Sequence, residues 1–156
     1  MEKLVETIVA EAGRLDILVN NAAQMGRMVT IAKTSVEDWD NEVKLCLNSA
    51  FYCIKEAWPD MCAKKWGRIV NISSGAGLRV SLTGIQAYAS AKAGLIGCTR
   101  QLAYELGPAG ITVNCVAPGF IRSNSTTEKQ WQSYGKEGQE KLLASIATRR
   151  LGRPED

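Results

Sequence analysis

The sequence of 156 residues contains no histidine, and this absence excludes several kinds of functional site. A Ser-His-Asp or Cys-His centre needs an imidazole as its general base, so hydrolysis by such a centre is excluded. A zinc site with imidazole ligands is excluded for the same reason. Any acid/base chemistry must therefore come from other side chains, and we expect no metal site.

Long apolar runs and a large net charge are also missing. No apolar segment approaches the roughly 20 residues of a membrane-spanning helix, and the first residues lack the order of a signal peptide. A net charge of +3 is too small to indicate binding to nucleic acid or to an anionic membrane. The sequence contains an odd number of cysteines, and none of them forms a C-x-x-C pair. All five lie in apolar patterns: Cys46, Cys53, Cys62, Cys98 and Cys115. Buried, reduced thiols of this kind predict a soluble, cytoplasmic protein.

The chain does contain amphipathic helices that alternate with short apolar strands. Helices are predicted over 2–12, from a cap at Thr34 or Ser35 to about Pro59, and over 88–106. Strands are predicted at 17–19, 69–72 and 111–116, the first two as continuous apolar runs buried on both faces. This alternation predicts an α/β fold with a Rossmann-like doubly wound parallel sheet. The more polar residues 123–152 predict a mobile lid with one helix at about 137–146.

Tyr88 and Lys92 are four residues apart on one predicted helix and therefore share a face. A phenol ordinarily ionises near pH ~10, but a neighbouring ammonium favours the phenolate. A tyrosine in such a pair can exchange a proton with a carbonyl or an alcohol. The spacing alone is weak, because any helix can contain it, and a surface tyrosine beside a solvated lysine is the alternative.

Polar and small residues follow two of the predicted strands. Ser73 and Ser74 come directly after one strand, and Pro118 and Gly119 come after another. A hydroxyl at the carboxyl end of a strand faces the crevice where open α/β sheets bind ligands, and can stabilise a developing alkoxide. The alternative is that the serines only end their strand and that Pro118-Gly119 is an ordinary turn.

Taken in order, these motifs resemble the short-chain dehydrogenase/reductase family, over about residues 4 to 156. The matching motifs are Asp16-Ile-Leu-Val-Asn-Asn-Ala22, Asn48, Ser74, Tyr88-Ala-Ser-Ala-Lys92 and Pro118-Gly119. The resemblance implies an oxidoreductase that transfers a hydride between NAD or NADP and a small-molecule alcohol or ketone. The pattern is also similar to reductases of 3-oxoacyl carriers.

The resemblance implies a role for each matching residue. Tyr88 resembles the catalytic acid/base, and Lys92 resembles the residue that promotes ionisation of the tyrosine and holds the nicotinamide ribose. Ser74 resembles the serine that polarises the substrate. Ser73 remains the alternative for this role, because the interval from Ser74 to Tyr88 is one residue longer than is usual in the family. Asn48 resembles the asparagine that anchors a water. Cofactor contacts are implied at Asn20, Ala22, Tyr88, Lys92, Pro118, Gly119, Ile121 and Ser123.

Two parts of the family pattern have no counterpart in the sequence, the Gly-rich turn that binds pyrophosphate and the final strand. The expectation is therefore a single partial domain over 1–156, without the N-terminal βαβ cofactor half. In the family, helices equivalent to 36–58 and 88–106 pack against neighbouring subunits, which implies a homo-oligomer, a dimer or tetramer. The alternative function is a truncated, catalytically silent fragment that only associates with other subunits.

Overall fold

The computed structural model describes residues 2–156, which form two compact units with their boundary between Ala117 and Pro118. The elements of the first unit are α1 (Glu2–Ala12), β1 (Ile17–Asn20), α2 (Val36–Val43), α3 (Ser49–Ala63), β2 (Gly67–Ile72), α4 (Gln86–Leu106) and β3 (Ile111–Val116). The second unit contains α5 (Ser125–Ser133) and α6 (Gly135–Ser145).

The three strands form one parallel sheet in the order β1-β2-β3. Ile17 of β1 pairs with Arg68 of β2, and Gly67 of β2 pairs with Ile111 of β3. Each pair of parallel strands is joined by helical segments, which is the connection that parallel strands require. The prediction of an α/β fold with a parallel sheet is confirmed.

The core of the first unit lies between α3, α4 and one face of the sheet. Burial alternates along β2 and β3, so that Ile69, Ile111 and Val113 face the helices. On the opposite face, Ile17 and Val19 are 57% and 55% exposed. The prediction that the first strand is buried on both faces is therefore wrong, because the helices of the described first unit cover only one side of β1.

Of the two predicted caps, Thr34 and Ser35, it is Ser35 that begins the next helix, because its hydroxyl accepts a hydrogen bond from the Asp38 N–H at 3.0 Å. It differs from the prediction in the middle and at the end. A π-helical turn, Lys44–Asn48, separates α2 from α3, and α3 continues through Pro59 to Ala63. A proline removes only one backbone donor, and burial of the flanking Ala57 and Met61 in the core compensates for that loss.

The second unit contains one helix that the sequence did not predict. Helix α5 begins with a capping box, in which the Asn124 side chain accepts from the N–H groups of Thr126 and Thr127, both at 3.0 Å. Apolar periodicity did not reveal α5 because only Trp131 of this helix is buried. The predicted lid, residues 123–152, lies within this unit, and its mobility stays a prediction.

The cysteines are less deeply placed than predicted. Cys46 is buried, whereas the other four are partly exposed, and no disulfide forms within residues 2–156. None of the helices in that range is long and apolar enough to cross a membrane.

Candidate active site

Tyr88 and Lys92 lie one turn apart near the start of α4. The Lys92 Nζ is 5.7 Å from the centroid of the Tyr88 ring. Lys92 is only 2% exposed, whereas Tyr88 is half-buried. The structure thus brings an amine that is enclosed by protein close to a phenol that remains accessible from solvent.

The environment of Lys92 opposes its charge. Burial lowers the pKa of the Lys92 amine, and electrostatic interactions with Cys46 and Cys115 act in the opposite direction. The Nζ donates a hydrogen bond to the Ile72 carbonyl oxygen at 2.6 Å, at the carboxyl end of β2. A buried ammonium is costly unless such partners replace the water that it has lost, so this carbonyl helps Lys92 to remain protonated.

The two serines that follow β2 have different surroundings. The Ser73 hydroxyl is buried and donates to the Lys92 backbone carbonyl at 2.8 Å. The Ser74 hydroxyl is half-buried and accepts from the Ala76 N–H at 3.2 Å, at the start of the 3-10 turn Gly75–Gly77. That bond leaves the Ser74 O–H proton available for a ligand, while the Ser73 proton is engaged inside the protein.

Asn48 is the last residue of the π-helical turn and is half-buried. The turn packs closely on α4, since a Cβ at Gly94 would lie 3.0 Å from Leu47 Cδ2. Its buried Cys46 thiol donates to the Gln24 carbonyl at 3.4 Å. Single π-helical turns inside helices occur frequently at functional sites, because the extra residue displaces the backbone from regular helix geometry.

Asn20 takes part in a chain of hydrogen bonds that crosses the sheet. Its Nδ2 donates to Asn71 Oδ1 at 2.8 Å, and Asn71 Nδ2 donates to Thr99 Oγ1 at 2.9 Å. Thr99 in turn donates to the Leu95 carbonyl of α4 at 2.7 Å. Asn71 and Thr99 were not predicted from the sequence, although an asparagine inside an otherwise apolar strand is a signal that could have identified the first of them.

The remaining predicted cofactor contacts are divided between the two units. Ala22 lies in an exposed loop after β1 of the first unit. Pro118, Gly119, Ile121 and Ser123 belong to the second unit. There, Ile121 forms a parallel bridge with Gly152, and the Ser123 N–H donates to Thr127 Oγ1 at 3.0 Å.

A wide groove with a volume of about 710 Å³ lies at the start of α4 in the first unit. Ala89, Ser90 and Ala93 of α4 form part of its wall, whereas Tyr88 and Lys92 do not line it. The exposed apolar side chains of Ile31, Leu78 and Val80 line it further along. No group of three or more His, Cys, Asp or Glu side chains in residues 2–156 could hold a metal ion.

Residues 1–133 match the sequence model of the short chain dehydrogenase family. The chain is 43% identical over its whole length to the (2S)-[(R)-hydroxy(phenyl)methyl]succinyl-CoA dehydrogenase subunit BbsD of Thauera aromatica, and covers 60% of that protein. It is 36% identical to the 3-oxoacyl-[acyl-carrier-protein] reductase FabG of Staphylococcus aureus, again over its whole length and over 61% of the relative.

Solved structures of dehydrogenases are also similar to this chain. A crystal structure of an NAD+-bound xylitol dehydrogenase superposes with a TM-score of 0.85 at 26% identity, covering 97% of this chain and 62% of that one. The chain therefore belongs to the short chain dehydrogenase family, and its α/β fold is that of the family. It spans about three-fifths of the length of the relatives that it matches.

Proposed function

We propose that this chain carries the acid/base centre of an oxidoreductase that acts on an alcohol or ketone group, with Tyr88 as the group that exchanges the proton. The observation that carries the proposal is the buried Lys92 amine 5.7 Å from the Tyr88 ring centroid, next to the strand end that bears Ser74. A bound nicotinamide would supply or accept the hydride of this reaction.

Each residue of the proposed centre has a separate task. Tyr88 donates a proton to the substrate oxygen during reduction and takes it back during oxidation. The Lys92 ammonium favours the phenolate electrostatically. The Ser74 O–H donates a hydrogen bond to the same substrate oxygen and stabilises its developing charge. Asn48, in the π-helical turn against α4, holds a water that passes protons between Lys92 and solvent.

A nicotinamide cofactor, NAD or NADP, fits the residues present in part. The Lys92 ammonium is a suitable donor for ribose hydroxyls, and Asn20 and Ala22 lie at the carboxyl end of β1, where open α/β sheets bind ligands. The backbone of Pro118, Gly119 and Ile121 and the Ser123 hydroxyl would receive the carboxamide. The sequence contains no Gly-rich turn of the kind that would bind the pyrophosphate of the cofactor.

The substrate that we propose is an acyl thioester with an oxo or hydroxyl group. Two relatives are named for substrates linked to coenzyme A or to an acyl carrier protein. The groove at the start of α4 supports this class, because Ile31, Leu78 and Val80 offer apolar surface along which an acyl chain can lie. We infer that selection among acyl groups occurs in this groove and in residues 123–152.

The test begins with cofactor binding, measured by nicotinamide fluorescence as the purified chain is titrated with NADH and NADPH. We expect saturable binding at concentrations below about 1 mM, within the usual range for enzyme ligands. Oxidation of the cofactor by a short 3-oxoacyl thioester is then followed by absorbance. Tyr88→Phe should reduce turnover by at least about a hundredfold while leaving cofactor binding intact.

Tyr104→Phe is the matched control, because the Tyr104 ring is on the same helix but is 85% exposed. It should turn over substrate at the unaltered rate. Equal loss in both variants, or retained turnover in Tyr88→Phe, would show that Tyr88 is not the proton donor. No cofactor binding at millimolar concentration would contradict the proposal that this chain acts as an enzyme.

A second function, association with other subunits, is favoured by exposed aromatic residues on α3. Phe51, Tyr52 and Trp58 all have large exposed fractions, and aromatic side chains are enriched in protein interfaces. The reduced cysteines lead us to propose that the protein works in the reducing cytoplasm. We also propose that helices 36–58 and 88–106 form a homo-oligomer interface. Size-exclusion chromatography with light scattering tests this, and Trp58→Lys should convert an oligomer into monomers. A monomeric parent protein would contradict it.

A further inference from the structure

The chain segment 72–77, which carries Ser74, contacts Lys92 at several points. The Ile72 carbonyl accepts from the Lys92 Nζ, and the next residue, Ser73, donates its hydroxyl to the Lys92 carbonyl. Two consecutive residues at the end of β2 therefore bind the two ends of one lysine. Ser73 is itself fixed to the sheet, because its N–H donates to the Val116 carbonyl at 2.7 Å.

Gly77 adds a steric contact at the same place. A Cβ on Gly77 would lie 2.7 Å from the Lys92 carbonyl carbon and 2.8 Å from the Ala93 nitrogen. Distances this short to backbone atoms cannot be relieved by rotating a side chain. The turn that follows Ser74 therefore packs directly on the Lys92–Ala93 peptide, and only a glycine at position 77 permits it.

We propose that Ser73 and Gly77 are positioning residues that fix the Lys92 peptide against the turn carrying Ser74. This inference rests on the proposed function, in which Ser74 and Lys92 must act on the same substrate and cofactor. Ser73 donates the hydrogen bond and Gly77 allows the close approach. Together they determine how far the Lys92 amine lies from the Ser74 hydroxyl, and they keep that amine out of water.

The Ser73 hydroxyl is well suited to this task because it is 4% exposed. The Lys92 carbonyl also belongs to the hydrogen-bond ladder of α4, so the Ser73 hydroxyl supplies a second hydrogen bond that ties this helix to the end of β2. In Ser73→Ala the Lys92 peptide loses its link to β2, and water reaches the amine more often. In Gly77→Ala the added methyl group forces the turn away from α4, with the same consequence by a different route.

The experiment measures the reactivity of Lys92 directly, without cofactor or substrate. The folded chain is acetylated with a low concentration of acetic anhydride over a series of pH values, and the rate at each lysine is read by peptide mass spectrometry. The exposed Lys33 and Lys129 serve as internal references. Lys92 should react slowly in the unaltered chain because it is buried.

In Ser73→Ala the rate at Lys92 should rise about tenfold, corresponding to the loss of one buried hydrogen bond. Its apparent pKa should also move upward toward the ordinary value of a lysine, because the decrease arises from burial. Ser73→Thr keeps the hydroxyl and should restore the slow rate. Gly77→Ala should raise the rate at least as much as Ser73→Ala.

Thr99→Val is the matched control. Thr99 is also buried and donates its hydroxyl to a carbonyl of α4, but at Leu95. Thr99→Val removes the hydrogen bonds to Asn71 and Leu95, and its effect on Lys92 through α4 should be much smaller than the tenfold increase expected for Ser73→Ala. Should Ser73→Ala not fold, Ser73→Cys keeps a weaker donor of similar size and should give an intermediate rate.

Unchanged Lys92 reactivity in folded Ser73→Ala and Gly77→Ala would overturn the inference, as would an equal increase in Thr99→Val. The result is separable from the proposed function. A chain that fails to bind NADH or NADPH still reports whether Ser73 and Gly77 hold Lys92, since acetylation requires neither ligand.

Discussion

The two units of this protein are held together by different kinds of interaction. Residues of the first unit, up to Ala117, share a parallel sheet and a buried core whose members are far apart in the sequence. The second unit, from Pro118, depends mostly on contacts near in sequence, namely the Asn124 cap, the Arg150–Asp156 ion pair and an aromatic group of Phe120, Trp131 and Tyr134.

The difference bears on function. Tyr88, Lys92 and Ser74 belong to the unit whose geometry is fixed by burial, as an acid/base centre requires. The stretch from Pro118 to Ser123 and the predicted lid belong to the unit held mostly by contacts near in sequence, and we expect such contacts to open at a lower free energy than the buried core. We therefore expect chemistry to be located in the first unit and adaptation to ligands in the second.

Core truncation should give the largest contrast between the units. Ile69→Ala removes a fully buried side chain from the first unit and should lower the free energy of unfolding by about 3–4 kcal/mol. Ile146→Ala, the matched change at a half-buried position of the second unit, should cost about 1 kcal/mol or less. Urea unfolding monitored by circular dichroism measures both, and similar losses would contradict the comparison.

Asparagine replacement should give a smaller contrast of the same sign. Asn71→Ala leaves Asn20 and Thr99 without their buried partner and should cost about 2–3 kcal/mol. Asn124→Ala removes an exposed helix cap and should cost about 1 kcal/mol, with faster amide exchange confined to α5. If amide exchange in α4 did not change in Asn71→Ala, the hydrogen-bond chain would not link the sheet to that helix.

The smallest effect should come from the exposed ion pair of the second unit. The hydrogen bonds from Arg150 and from the Arg153 N–H lower the pKa of Asp156 to about 2. Because the folded state has the lower pKa, the pair contributes stability above about pH 4 and loses it as the pH falls toward 2.

Arg150→Gln should return the pKa of Asp156 toward the ordinary value of a carboxyl, which an NMR titration of the side-chain carboxyl carbon measures. The lysine variant Arg150→Lys keeps the charge but not the two-point geometry, so an intermediate value is expected. An unchanged titration midpoint in Arg150→Gln would mean that the pair does not form in solution.

Much of the fold could be predicted because apolar periodicity reports directly which residues face a core. The helices at α1 and α4, the three strands and the cap at Ser35 follow from that pattern and from hydrogen-bonding side chains at helix ends. Helix α5 was missed because its residues are mainly polar. The end of α3 was placed too early because Pro59 is tolerated inside a helix that is anchored in the core.

Some features of the candidate site could likewise be predicted from the sequence, and others could not. Spacing along one helix was enough to predict that Tyr88 and Lys92 share a face, and their order among other motifs was enough to indicate the family. The different surroundings of Ser73 and Ser74 could not be predicted, because a strand end gives no information about which hydroxyl turns inward. Neither could the Asn20–Asn71–Thr99 chain, whose members are far apart in the sequence.

The amino-acid sequence by itself determined the alternation of strands and helices, the Tyr88–Lys92 pair and the absence of any histidine chemistry, because these depend on local periodicity and composition. Only the tertiary structure decided that Lys92 is buried against the Ile72 carbonyl, that Ser73 binds its backbone and that one face of β1 is exposed. Those features arise where segments distant in the chain pack together, and burial there lowers the pKa of the Lys92 amine and fixes its position.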